Sequence, residues 1–237
     1  ICIMKVIQSI FAAQFAERND SGFCPLVKFS GTGTEDEPLR LCLILSHPVM
    51  GSDKLIDDAY DDTSNSLAVL DNALNDIDVS VVKGSPTAVD VLKHVMQVAN
   101  ETSQRSGRFY SAAVAIHFSD WMVMAGIGHV KAWRSRKGKL EEVMQPTILR
   151  VGELPIHMAV PTATLGVGFD VNQIQGCELK LESNEVVLFA MQAELNLTDN
   201  VSTNFQNKAP AEVLNSALAL FRLKPPSIAI VRSGQTD

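Results

Sequence analysis

Between Tyr110 and Met144 the chain alternates short β-rich runs with breaks too short for a crossover. "YSAAVAIHF" gives way at Ser119-Asp120 to "WMVMA", which the Gly126 to Gly128 corner separates from "KAWRS". A Lys137-Gly138 turn then leads to "KLEEVM". A parallel connection needs a dozen or more residues, so these runs can pair only as antiparallel neighbours. The same reading extends to "CELKL" and "EVVLFAM" around Ser183-Asn184 and to a last strand, "SIAIVR". "LRLCLILS", apolar almost throughout, reads as a central strand covered on both faces.

Helical periodicity is confined to three other segments. Val89, Leu92, Met96 and Ala99 recur at three- and four-residue steps, as do Leu67, Leu70, Leu74 and Ile77 in a segment starting near Asp53. In "PAEVLNSALALF", Pro210 suits a first turn, and Leu214, Ala217 and Phe221 share a face. Helices grouped against antiparallel sheet, not alternating with strands, predict an α+β fold. The 237 residues, 46% hydrophobic with mean hydropathy +0.10, suffice for one substantial core. One domain spanning residues 1–237 is expected, with "SGTGTEDEP" at Ser30 to Pro38 the only linker-like tract. A start at Ile1 without a leader pattern suggests a piece of a longer product.

Charge and cysteine usage narrow the partners. A net charge of -7 and a pI near 5.2 argue against nucleic acid and anionic membrane, leaving protein or small molecule. No apolar run approaches the roughly 20 residues of a membrane span. Cys2, Cys24, Cys42 and Cys177 are widely spaced, which reads as reduced thiols and a cytoplasmic location.

Local motifs supply little chemistry. In "DDAYDD", Asp57 with Asp61 and Asp58 with Asp62 stand at i,i+4 spacing, but an acidic helix start favoured by the helix dipole explains them better than a cation site. "GTGTED" and "TLGVGF" lack the third glycine or the Lys-Ser/Thr of a phosphate cradle and read as turns. His47, His94, His117, His129 and His157 show no metal-ligand spacing, and no serine or cysteine sits in a nucleophile elbow.

Longer stretches carry more. "YSAAVAIHFSDWMVMAGIGHVKAWRSRKGKLEEV" (110–143), "TATLGVGF" (162–169), "ELKLESNEVVLFAMQAEL" (178–195) and the ending "PPSIAIVR" resemble, in order, the blocks of the PP2C-type (PPM) metal-dependent serine/threonine phosphatases. "LRLCLILSHPVMGSDKLI" falls where that family carries its "aDGmGG" motif, and "AERNDSGF" near its first Arg and Asn-Glu-Asp motif. The resemblance implies an α-β-β-α sandwich of two largely antiparallel sheets flanked by helices. It also implies a two-metal Mn or Mg centre in which a bridging water attacks phosphate. Hard cations held close together need several carboxylates.

At the matching positions the acids are replaced. Ser46 stands for the aspartate of the "aDG" motif and His47 for its glycine. His129 stands for the acid of "GDS", with Lys131 as the basic residue after it, and Gln192 for the acid of "TDG". The closing Asp-Asn falls on Lys224-Pro225 or Pro225-Pro226. Only Asp20 keeps an acid, and Arg18 is the candidate phosphate-binding residue. The resemblance therefore implies a degenerate member, a pseudophosphatase without a metal cofactor. Its expected role is regulation, adaptor work or scaffolding for a protein partner such as a kinase in phosphorylation-dependent signalling. Two alternatives stay open. One is a divergent phosphatase using a metal through His47, His129 and Asp20, or through the Asp57 to Asp62 cluster. The other is a cleft that takes a small anion through Lys131 and Arg18.

Overall fold

A computed structural model describes residues 3–7, 10–14, 24–34, 36–47, 59–104, 107–149, 159–195, 205, 208–222 and 225–233. The elements run β1 (Ile3–Ile7), β2 (Ile10–Gln14), β3 (Cys24–Ser30), β4 (Leu39–His47), α1 (Ala59–Asn75), α2 (Val79–Val82) and α3 (Ala88–Ser103). The hairpin cascade follows as β5 (Phe109–Phe118), β6 (Trp121–Ile127), β7 (Val130–Arg136) and β8 (Lys139–Met144). Two-residue strands β9 (Ile148–Leu149) and β10 (Val160–Pro161) come next. The chain then gives β11 (Gln175–Lys180), β12 (Val186–Met191), α4 (Pro210–Leu218) and β13 (Ser227–Arg232).

Every strand pair is antiparallel. One sheet has the order β11-β6-β5-β4-β3, the other β1-β2-β13-β12-β7-β8, and β9 and β10 form a separate ribbon. Between the sheets lie Leu39, Leu41, Leu43 and Leu45 of β4, Ala113 and Ala115 of β5, and Val187, Phe189 and Met191 of β12. The opposite face of β4, Cys42 and Ile44, packs under Leu67, Leu70 and Leu74 of α1 and Leu92, Met96 and Ala99 of α3. Helix α4 covers the second sheet with Val213, Leu214 and Ala217 against Trp133, Leu188 and Ile230. The result is the α-β-β-α sandwich, and β4 is apolar on both faces because both are covered.

The periodic readings meet their limits at element ends. Ile77 lies past the end of α1, and Phe221 lies beyond α4, where it forms a single bridge with Leu195. Strands β1, β2 and β3 had not been read from the sequence. β3 is an edge strand, which is why Pro25 is tolerated within it. Cys24, Cys42 and Cys177 are free thiols, with burial pushing Cys177 up to about 11. Among the described residues no helix is long and apolar enough to cross a membrane.

Candidate functional site

The site positions meet at one end of the sandwich. Register pairs place His47 opposite Phe109 and Leu45 opposite Ser111, so His47 and Ser111 project from the face that bears the inter-sheet leucines. His47 Nε2 lies 2.7 Å from Ser111 Oγ, which also accepts the backbone N–H of His129 at 2.9 Å. The His47 and His129 rings stand 5.0 Å apart at 37°. His129 Nε2 is 2.8 Å from the Ala159 carbonyl, an acceptor only, so Nε2 carries the proton and Nδ1 the lone pair. That Nδ1 is buried and has no hydrogen-bond partner among the described residues.

Gln192 joins through its backbone, donating N–H to the His129 carbonyl at 3.0 Å. Its φ of +50° is left-handed, a conformation that disfavours a side chain. Its amide Nε2 is buried without a partner among the described residues. Register Ala190↔Ile228 carries buried Pro225 toward the same sheet end.

The structure thus brings His47, His129 and Gln192 together, but not Ser46. Strand alternation turns Ser46 to the helix side with Cys42 and Ile44, and its Oγ accepts the Cys24 backbone N–H at 3.1 Å. Lys131 is also turned away: it sits one step from Val130 and Ala132 of the inter-sheet face, pairs with Glu142 at 3.3 Å and lies over the Trp133 ring. Anion capture by Lys131 from within the cleft is therefore ruled out. Of the acidic run, Asp62 meets buried Arg108 at 2.8 Å and Asp61 faces solvent, as a helix start requires. Arg18, Asp20, Asp57, Asp58, His157 and Lys224 lie outside the described residues. Sequence reasoning missed Ser111, a hydroxyl inside an ordinary strand pattern, and the Ala159 carbonyl, which has no side-chain signature.

Burial decides the protonation states. It pulls His47 down to about 3, with neighbouring His129 adding to the effect, and it lowers His129 against the opposing pull of the Ala159 carbonyl. Both imidazoles are neutral at pH 7. The donors gathered here are imidazole, hydroxyl and amide. Among the described residues no group of three or more His, Cys, Asp or Glu could hold a metal. Such a donor set does not fit a pair of Mn or Mg ions, which need anionic oxygen.

The corner that presents His129 depends on Gly128. Its φ is +81°, and a Cβ there would stand 2.3 Å from Ser111 Oγ. Gly128→Ala is expected to cost about 2–4 kcal/mol, combining left-handed strain with displacement of the hydroxyl. Gly138→Ala, at φ +74° with open space, should lose only about 1 kcal/mol. Urea midpoints compare the two, and equal losses would remove Ser111 from the account.

Three exposed apolar side chains sit on β5, β9 and β10, strands next to the histidine pair. Phe109, opposite His47, is 42% exposed, and the cross-ribbon pair Leu149 and Val160, next to Ala159, are 57% and 63% exposed.

No protein-family model matches the chain, and no curated protein does. Solved structures do. A serine/threonine phosphatase of S. agalactiae is similar at TM-score 0.64 and 11% identity, over 94% of this chain and 97% of that one. The catalytic domain of the serine/threonine protein phosphatase PstP, solved with two manganese ions, is similar at TM-score 0.57 and 10% identity, over 95% and 96%. A structure described with the bacterial stressosome, a modular system adapted to control secondary messenger signalling, is similar at TM-score 0.54 and 11% identity, over 94% and 96%. The fold is that of the bacterial PP2C-type serine/threonine phosphatases.

Proposed function

We propose that this chain is a pseudophosphatase, a PP2C-like domain kept for its surface and not for metal-dependent hydrolysis. The carrying observation is the donor set at the sheet end, where two neutral imidazoles, Ser111 and the Gln192 amide stand in place of carboxylates. Cations the size of Mn or Mg draw their affinity from charge neutralisation, and neutral donors supply none. In this reading Ser46, Lys224 and Pro225 are further remnants of the motif positions. Arg18 and Asp20 are what is retained of the first motif, and 1–237 acts as one domain.

Its role is regulation, adaptor work or scaffolding for a protein partner in phosphorylation-dependent signalling in the cytoplasm, with a kinase among the candidate classes. The exposed Phe109 and the cross-ribbon pair Leu149 and Val160 support it, since exposed apolar side chains suit protein contact better than solvent. A signalling neighbour of the same fold agrees with it.

The test is hydrolysis of an aryl phosphate and a phosphoserine peptide, with Mn or Mg from micromolar to millimolar. The expected result is turnover at the level of buffer and no saturable heat from either cation in calorimetry. Metal-dependent turnover that disappears in His129→Ala would replace this reading with the divergent phosphatase.

A further inference from the structure

We propose that the exposed edge strand β11 pairs with β11 of a second copy of this chain, joining two five-stranded sheets into one across a two-fold axis centred at Leu179. The inference is independent of how the histidine pair is read.

A sheet edge presents unpaired N–H and C=O groups to any strand that can reach them, and folded chains blunt their edges with prolines, bulges or a covering element. Among the edges whose side chains are described, β3 carries Pro25, and β8 is interrupted by a register shift opposite Ala132 and Trp133. β11 has neither device. Its six residues hold one unbroken register with β6, from Gln175 opposite Gly126 to Lys180 opposite Trp121. Gln175, Gly176, Glu178 and Lys180 are exposed, while half-buried Cys177 and Leu179 anchor the strand to the inter-sheet core.

The charged side chains on this edge are self-complementary in their order. A two-fold axis perpendicular to a sheet sets side chains of the same face opposite one another, so the axis must pass through a residue position and not between two. Centred at Glu178 or Lys180, the pairing opposes like charges. Centred at Cys177 or earlier in the strand, it leaves Glu178 without a cation to meet. Centred at Leu179, it sets Glu178 against Lys180 of the partner subunit twice over, with Leu179 against its own counterpart between the two pairs. Both charges can serve a second strand. Lys180 Nζ stands 3.6 Å from Asp120 with 86% of its side chain exposed, and Glu178 gives one carboxylate oxygen to Trp121 Nε1, which leaves the second. One edge strand offers less than the roughly 1,200 Å² of a stable interface, so the dimer is expected to be weak and concentration-dependent.

The test is sedimentation velocity of the full chain from micromolar to millimolar concentration, on the native protein, Glu178→Lys, Lys180→Glu and the double variant that carries both. A reversible dimer is expected for the native chain. Each single reversal is expected to weaken it about tenfold, since symmetry counts every pair twice, and the double variant to restore it. A native chain that stays monomeric throughout overturns the proposal, as does a dimer that neither single reversal weakens or that the double variant fails to recover. Leu179→Cys in a Cys177→Ser background checks the register without relying on charge. Air oxidation is expected to give a covalent dimer, because the two-fold axis sets the introduced thiols opposite one another, whereas Lys139→Cys on β8 in the same background stays monomeric. Cross-linking at both positions alike, or at neither, overturns the pairing.

Discussion

Acidification from pH 7 to pH 5, with a chelator present, is expected to cost the folded chain several kcal/mol. Three histidines are held neutral by burial: His47, pulled down to about 3; His117, pulled down to about 4; and His129, lowered without a value attached. An unfolded histidine titrates near 6.5. Because the folded values lie below the unfolded one, each group contributes stability that is fully present above about pH 6.5. That contribution is lost as pH falls toward the folded value, where the unfolded chain binds protons that the folded chain does not. Each proton so bound costs about 1.4 kcal/mol per pH unit, so His47 and His117 together approach about 3 kcal/mol per unit below pH 6, with His129 acting in the same direction. Against a typical stability of roughly 5–15 kcal/mol, that is a large fraction of the total.

His117 allows the contributions to be separated. It lies at the other end of β5, opposite Leu39, where burial outweighs the opposing pull of the Ser119 backbone and Asp120. His117→Leu is expected to lower the pH slope by about 1.4 kcal/mol per unit without touching the His47 and His129 pair. Urea unfolding at half-unit pH steps measures it. A slope unchanged by His117→Leu, or flat between pH 6.5 and 5, would mean the imidazoles are not buried as described.

The sequence made the sandwich readable where periodicity or turn length left one choice. The breaks between β5 and β8 admit only antiparallel neighbours, and Leu67, Leu70 and Leu74 define a helix face against β4. The cluster was half readable for a reason that lies in β4 itself. A strand covered on both faces shows no polar alternation, so nothing in "LRLCLILSH" says which residues face the second sheet. A shift of one residue exchanges the faces. Reading Ser46 as the aspartate position therefore left open which neighbour would reach the site, and the side chain that meets His129 is His47. β3, an edge strand, is obscured in the sequence by its proline, and β2 because one of its partners, β13, lies at the far end of the chain. Ala159 and Gln192 act through backbone groups, which every residue possesses and no motif records.

Restoring the carboxylate that the resemblance finds missing is expected to damage this protein. In His129→Asp the new side chain replaces a donor with an acceptor. The Ala159 carbonyl loses its N–H and faces negative charge, in a position almost without solvent. The cation nearest to hand would be His47, but burial already holds it near 3, so an ion pair would require charging two desolvated groups. The expected loss at pH 7 is about 3–5 kcal/mol, the usual cost of an uncompensated buried charge. His129→Asn, which keeps the size and omits the charge, should lose about 1–2 kcal/mol through the broken hydrogen bond. Burial raises the introduced carboxyl above its unfolded value, so the folded state then binds the extra proton. The gap between the two variants is full at neutral pH and closes as pH falls through that raised value. Urea midpoints at pH 7 with and without millimolar Mn(II) decide what the charge encounters. A loss unaffected by manganese agrees with neutral donors around the site. Recovery of stability together with phosphate hydrolysis would mean that one aspartate suffices to rebuild a hard-cation centre, and the view that the remaining donors cannot hold such a cation would fail with it.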